Sequence, residues 1–172
     1  TNNYPYAGPN AVEAVNWAAH PLYTSAAFFV HDVGMIELAN PINLASGQYG
    51  TLPAVDSIDA LKVGKKTTFT SVGYGLQEIN PVFVTSQRTR MVAYPHLIQK
   101  NVPGFTGDFS LLLSNNHSTG GTCFGDSGGP NFLGDSMVVA GVTSFGINGN
   151  CAGTGGVFRM DRQNVLNFIA DF

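Results

Sequence analysis

The sequence predicts an all-β fold closed by a single C-terminal helix, on three observations: apolar runs of strand length recur along the chain, turn-forming residues separate them, and a helical period occurs only at the end. The runs are Ala11–Ala19, Val33–Leu38, Thr67–Val72, Phe109–Leu113 and Met137–Thr143, each continuous or alternating in the manner of short antiparallel strands. Asn40 with Pro41, Asn80 with Pro81, the Gly120–Gly121 pair and Asn148–Asn150 interrupt them, and these residue types favour tight turns. Near the C-terminus, Val165, Leu166, Phe168 and Ile169 share one helical face, and Asp161 precedes them as a candidate N-cap. At this level sandwich and barrel are both open.

The 172 residues suffice for one domain with a real core. Charged residues make up 11%, less than half of the usual share, and the net charge is −3. Without a Lys/Arg cluster to neutralise a run of phosphates, no nucleic-acid partner is expected. No stretch has the length of a membrane-spanning helix, and no membrane association is expected. Cys123 and Cys151 are the two cysteines, too few for a four-cysteine zinc site, and one bridge or two inert thiols both fit the spacing. No metal or other cofactor is expected.

Gly125, Asp126, Ser127, Gly128, Gly129 and Pro130 spell GDSGGP. Small residues on both sides of a serine let the backbone turn tightly and let a carbonyl approach closely. The N–H groups of Gly125 and Ser127 then converge on the place where an oxyanion develops. A Gly/Ser/Asp/Pro string is also what a plain surface loop contains, but six specified positions make that coincidence improbable.

Through GDSGGP the chain resembles the trypsin and chymotrypsin family of serine proteases. His20-Pro21-Leu22-Tyr23 resembles the family's HPxY, Asp32–Leu38 (DVGMIEL) its aspartate strand, and Gly73-Tyr74-Gly75 the GWG that opens its second barrel. Ser144-Phe145-Gly146 resembles its SWG and Gly156-Val157-Phe158 its GVY. The pieces follow the family's order from about His20 to the last residue. The resemblance implies a chymotrypsin-like double antiparallel β-barrel with a C-terminal α-helix, residues 61–172 forming the C-terminal barrel and 1–60 the remainder of an incomplete N-terminal one. It implies that Ser127 is the nucleophile, Asp32 the orienting carboxylate, and the Gly125 and Ser127 amides the oxyanion hole. Asp126 would pair with a freed N-terminal amine in members activated by cleavage. Cys123 and Cys151 would be bridged, which implies an oxidising compartment and a secreted protein.

The resemblance also requires a histidine base, and none of the four histidines fits. His96 and His117 follow Asp32, contrary to the family's order, and read as loop or surface residues. His31 adjoins Asp32, and neighbours on an extended strand project to opposite faces, so a solvent-facing His31 is expected. Ala18-Ala19-His20 copies the AAH of the family's histidine motif, but Pro21 and Tyr23 mark it as HPxY. The short stretch from His20 to Asp32 has no room for two further strands. The expectation is that the chain begins after the true histidine and lacks roughly the first four strands of the N-terminal barrel, leaving apolar surface uncovered.

By the same resemblance, Gly121 and Thr122 lie at the base of the substrate pocket, with Gly146 and Gly156 as its walls and Ser144 and Phe145 also binding substrate. None is acidic, so a substrate Lys or Arg would be buried without a partner, and an aromatic or large apolar residue before the cut is expected. The leading reading is an endopeptidase acting on protein or peptide substrates, with a proteinaceous inhibitor or the missing N-terminal segment as a further partner. A catalytically inactive binding protein of the same fold is the alternative, and an esterase is a third. Asn116-His117-Ser118 forms an N-glycosylation sequon.

Overall fold

The computed structural model describes residues 11–79, 84–87 and 89–172. The N-terminal segment before Ala11 and the turn expected at Asn80–Pro81 lie outside them. β1 (Ala14–Ala19) pairs antiparallel with β2 (Gly34–Leu38), placing Trp17 opposite Ile36. β3 (Gly64–Gly73), the short hairpin β4 (Glu78–Ile79) and β5 (Val84–Thr85), β6 (Met91–Ala93), β7 (His96–Val102) and β8 (Gly107–Asn115) follow. β9 (Pro130–Leu133), β10 (Val139–Gly146), β11 (Gly153–Arg159) and the helix α1 (Gln163–Asp171) complete the chain.

The order β3-β7-β8-β11-β10-β9, with β9 pairing back to β3, closes six antiparallel strands into a barrel, and β6 adds to the outside of β3. Closure leaves no free edge among those six. Each expected strand run falls on an observed strand, and the expected helix is α1.

Alternation along the strands divides the apolar residues into two layers. Phe69, Leu97, Leu111, Leu113, Ala140 and Val157 fill the barrel, and Ile58 plugs it from the 3-10 turn Ser57–Ala60. Phe158, one residue on from Val157, points outward and packs with Met160, Val165, Phe168 and Ile169 beneath α1. Val33 belongs to this outer layer. The residue after Asp32 is therefore anchored between barrel and helix, which fixes where Asp32 can reach.

Asp161 does not cap α1. Arg162 occupies the N-cap position without a side-chain cap bond, because Asp161 is committed elsewhere. Its carboxylate accepts from Nε and Nη2 of the fully buried Arg159, at 2.9 and 2.8 Å, and from the Ile58 N–H at 2.9 Å. Arg159 Nη1 donates to Asp59 and to Asn101. A buried guanidinium needs every one of these acceptors, and together they tie the 3-10 turn to the end of β11.

His31 departs from its expected exposure. Its φ of 55° is left-handed rather than extended, and the half-buried ring stacks on the buried His20, with centroids 4.7 Å apart, and tilts against Phe109. His20 Nδ1 accepts from Leu22 N–H at 3.2 Å, and the ring lies against Phe168. Burial holds both imidazoles below their ordinary range, and the neighbouring His31 lowers His20 further. His96, expected in a loop or at the surface, begins β7 half-buried, whereas His117 sits exposed in the turn after β8.

Two outcomes follow. Arg159→Ala strands the Asp161 carboxylate in the interior and costs about 3–5 kcal/mol, read from the shift of the urea midpoint at unchanged slope. The depressed histidines make the unfolded chain bind more protons than the folded one just below pH 6.5. Stability therefore rises with pH through that window and is lost as pH falls through it. A urea midpoint series between about pH 5 and about pH 7 shows this slope, and the double variant His20→Phe, His31→Phe flattens it.

Candidate functional site

The segment Thr122–Gly129 is a tight excursion between β8 and β9. Asp126 N–H donates to the Cys123 carbonyl and Gly129 N–H to the Asp126 carbonyl, folding the chain into two successive turns. Gly125 and Gly128 take φ of 98° and 78°, values that a side chain at either position would strain. Gly128 N–H donates to the Thr143 carbonyl and Thr143 N–H to that of Gly129, at 2.8 and 2.9 Å. Behind this clamp the buried Asn131 side chain accepts from Ser71 Oγ and donates to Thr143 Oγ1. Ser127 thus projects, exposed, from a turn fastened on three strands.

Asp126 faces away from Ser127. Its Oδ1 accepts from the Gly75 N–H at 2.7 Å and its Oδ2 from the Cys123 N–H at 2.8 Å. A Cβ on Gly73 or Gly75 would overlap this carboxylate, so the glycines of the GYG segment exist here to admit it. A cleft bounded by Ser71, Gly73, Leu76, Met91 and Gly120 opens beside it.

The Phe124 carbonyl accepts from the Leu76 N–H at 2.9 Å. Across a trans peptide the Gly125 N–H points the opposite way. Among the described residues, neither the Gly125 N–H nor the Ser127 N–H has an acceptor.

Asp32 arrives from the other side. Thr143 pairs with Val157 and Phe145 with Gly156, so Ser144 falls at a bulge in β10. A bulge re-aims the side chain it carries, and Ser144 Oγ donates to Asp32 Oδ2 at 2.5 Å. Burial pushes the Asp32 carboxyl up from the usual aspartate range, while the Ser144 hydrogen bond pulls it back down. Asp32 Oδ1 has no hydrogen-bond partner among the described residues. The described contacts of His20 and His31 are with each other, Leu22, Phe109, Asn164 and Phe168. Neither ring bridges Asp32 and Ser127.

Ser127 stands at the lip of a recess of ≈ 230 Å³ walled by Phe28, Phe124, Phe145 and Gly146, with Thr122, Ser144 and Thr154 also lining it. The Cys123–Cys151 disulfide forms part of the same lining and joins the Ser127 segment to the loop before β11. Two residues expected on this pocket do not line it. Gly121 lies behind it, where a Cβ would strike the Asn115 side chain, and Gly156 is covered by the Phe145 ring. Among the described residues, no charged one lines the recess. Phe28, Phe124 and Thr154 are lining residues that the sequence motifs did not single out. Phe28 is brought in by the path of residues 28–33, for which no local signal exists. Among the described residues, no three His, Cys, Asp or Glu side chains are grouped to hold a metal.

Comparison with known proteins agrees with this architecture. Brachyurin from Leptuca pugilator is 31% identical over 146 residues, an alignment covering 81% of this chain and 59% of brachyurin. The chain thus spans less than two thirds of that relative's length. Among solved structures, HL collagenase superposes with a TM-score of 0.72 at 20% identity, covering 96% of this chain and 70% of the other. A mutant of human heparin binding protein gives 0.69 at 17% identity, covering 93% and 64%. An inactivated protease paralogue of the scabies mite gives 0.66 at 15%, covering 92% and 66%. Identities this low speak for a shared fold alone. The family model for Trypsin matches residues 5–169, and with the barrel, the disulfide and the Ser127 turn already described, the chain belongs to the Trypsin family of serine proteases.

Proposed function

We propose that this chain is the serine-bearing portion of a secreted endopeptidase that cleaves peptide bonds through an acyl intermediate on Ser127. The observation that carries this reading is the joint placement of three features around one recess: an exposed serine at its lip, two unengaged amides beside that serine, and a half-buried carboxylate linked to the recess wall through Ser144. In the reaction, Ser127 Oγ bonds to the scissile carbonyl carbon as an imidazole takes its proton. The oxygen that becomes negative accepts from the Gly125 and Ser127 N–H groups. The C–N bond then breaks as the imidazole returns the proton to the departing amine, and water releases the acyl group in the same sequence of transfers. Asp32 orients the imidazole and stabilises its charged form.

That imidazole is supplied by polypeptide outside these 172 residues. The free Oδ1 of Asp32, raised in proton affinity by burial, is the acceptor it would meet. The same missing polypeptide would cover the β1–β2 pair, where Trp17 and Ile36 are 73% and 64% exposed. The aromatic, uncharged recess favours an aromatic or large apolar side chain before the cut. The disulfide fits a secreted protein. Asp126 would serve as the acceptor for a freed N-terminal amine entering the cleft beside it.

A catalytically silent binding protein is the second reading, favoured by the absence of any described histidine at the Asp32 carboxylate. An aryl phosphonate separates the two. The endopeptidase reading expects covalent labelling of Ser127 when the upstream coding region is present, loss of that label in Ser127→Ala, and retention of it in His20→Gln. No label in the longer product favours the silent protein. On matched peptides, the longer product is expected to cut after phenylalanine in preference to arginine, and a preference of about tenfold for arginine overturns the assignment of the recess.

A further inference from the structure

His20 and His31 meet where the β1–β2 ribbon, a sheet of its own, docks on the barrel and α1. Their rings stack with centroids 4.7 Å apart and planes 10° from parallel. His20 lies against Phe168 of α1, and His31 against Phe109 of β8. The backbone fastens this pair to the residues around Asp32. His20 N–H donates to the Val33 carbonyl and Val33 N–H to the His31 carbonyl, each at 2.9 Å. His31 directly precedes Asp32 and holds φ of 55°, a conformation that a residue with a side chain keeps only while its surroundings enforce it. Ring contacts do the enforcing at His31: His20, Phe109 and the Asn164 side chain at 3.4 Å.

Such packing suits two neutral rings and opposes two imidazolium ions. Among the described residues no acid is paired with either ring. From α1 the stack meets Asn164 and Phe168; Arg162, before the helix, is bound to Asp56, Asp59 and Asp108, and Asp171 at its end is exposed. From β8 it meets Phe109, whose neighbour Asp108 is that same partner of Arg162. Its own segments contribute Tyr23, which is exposed, and Asp32, whose carboxylate is engaged by Ser144. Burial disfavours a proton on either ring, and a charge on His31 opposes one on His20. We infer that the stack is an acid-opened latch on Asp32: once charged, the rings part, His31 relaxes toward extended backbone, and Asp32 swings off Ser144 while the barrel stays folded. The barrel outlasts the opening because its core, built on Phe69, Leu97, Leu111 and Val157, is separate from the cluster around Val33. Asp32 itself does not drive the change. Burial raises its pKa, so falling pH favours the docked form through that group. Opening concerns the Asp32–Ser144 link alone, and only its consequence for turnover rests on the endopeptidase reading.

The test is amide hydrogen exchange of this chain between about pH 7 and about pH 5, with each rate referred to the intrinsic rate at that pH. Protection of the His20 and Val33 amides is expected to fall by about tenfold or more over this range. It is also expected to stay below that of Leu111 and Val157 throughout, since the ribbon opens without the barrel. His20→Phe with His31→Phe keeps two stacked rings and removes their protons, and is expected to make the protection of Val33 independent of pH. Should that pair of changes prevent folding, His20→Gln alone is expected to reduce the steepness to about half. Ser144→Ala is expected to lower the protection of His20 and Val33 by about tenfold at pH 7, because opening no longer breaks a charge-assisted hydrogen bond. Protection of His20 and Val33 that ignores pH, or equals that of the barrel amides, overturns the latch. So does a pH response unchanged in the histidine variants, or a Ser144→Ala that leaves protection as it was. Any of these outcomes leaves the endopeptidase reading standing, since phosphonate labelling of Ser127 in the longer product decides that separately.

Discussion

The hydrogen bond from Ser144 Oγ to Asp32 Oδ2 joins residues 112 positions apart in the chain, and the arrangement of the site depends on it. Ser144 belongs to the closed barrel and lines the recess at whose lip Ser127 stands. Asp32 belongs to the segment leading into the separate β1–β2 pair. Without a link across that junction, a serine on one body and a carboxylate on the other have no fixed relation. Two features make the link possible. The bulge at Ser144 turns the hydroxyl outward, and Val33, buried under α1, holds the neighbouring residue in place.

The barrel does the complementary task of presenting Ser127 without consuming its surroundings. Within the turn Asp126, Gly128 and Gly129 donate to backbone carbonyls, while among the described residues the Gly125 and Ser127 N–H groups have no acceptor. Unpaired amides are tolerated here because the turn is exposed, where water satisfies them until a ligand arrives. The engaged Phe124 carbonyl and the Asp126 carboxylate fix the orientation of the intervening peptides. Preorganisation of this kind places the cost of orienting donors in folding rather than in the reaction.

Much of this was legible in the sequence. Period-2 apolar runs located the strands, because alternate residues of a strand face alternate layers, and GDSGGP with its glycines announced a tight turn built around a serine. The Cys123–Cys151 bridge followed from resemblance rather than from spacing. What the sequence hid was set by tertiary contact. Asp161 has the composition of an N-cap, but a buried arginine two residues earlier in β11 claims its carboxylate. His31 reads as a strand residue, yet the chain turns left-handed there and the ring stacks on His20. Gly156 is expected in the pocket wall, but the Phe145 ring covers it. Thr154 carries no motif at all, yet it lines the recess.

The measurement that tests the central link most directly is the titration of the Asp32 carboxyl by carbon-detected NMR in the parent chain and in Ser144→Ala. The hydroxyl stabilises the carboxylate against the opposing effect of burial. Its removal is predicted to raise the Asp32 pKa further above the ordinary aspartate range. An Asp32 that titrates identically in the two proteins would mean that the hydroxyl does not hold it, and the junction between the barrel and the Asp32 segment would then need another explanation.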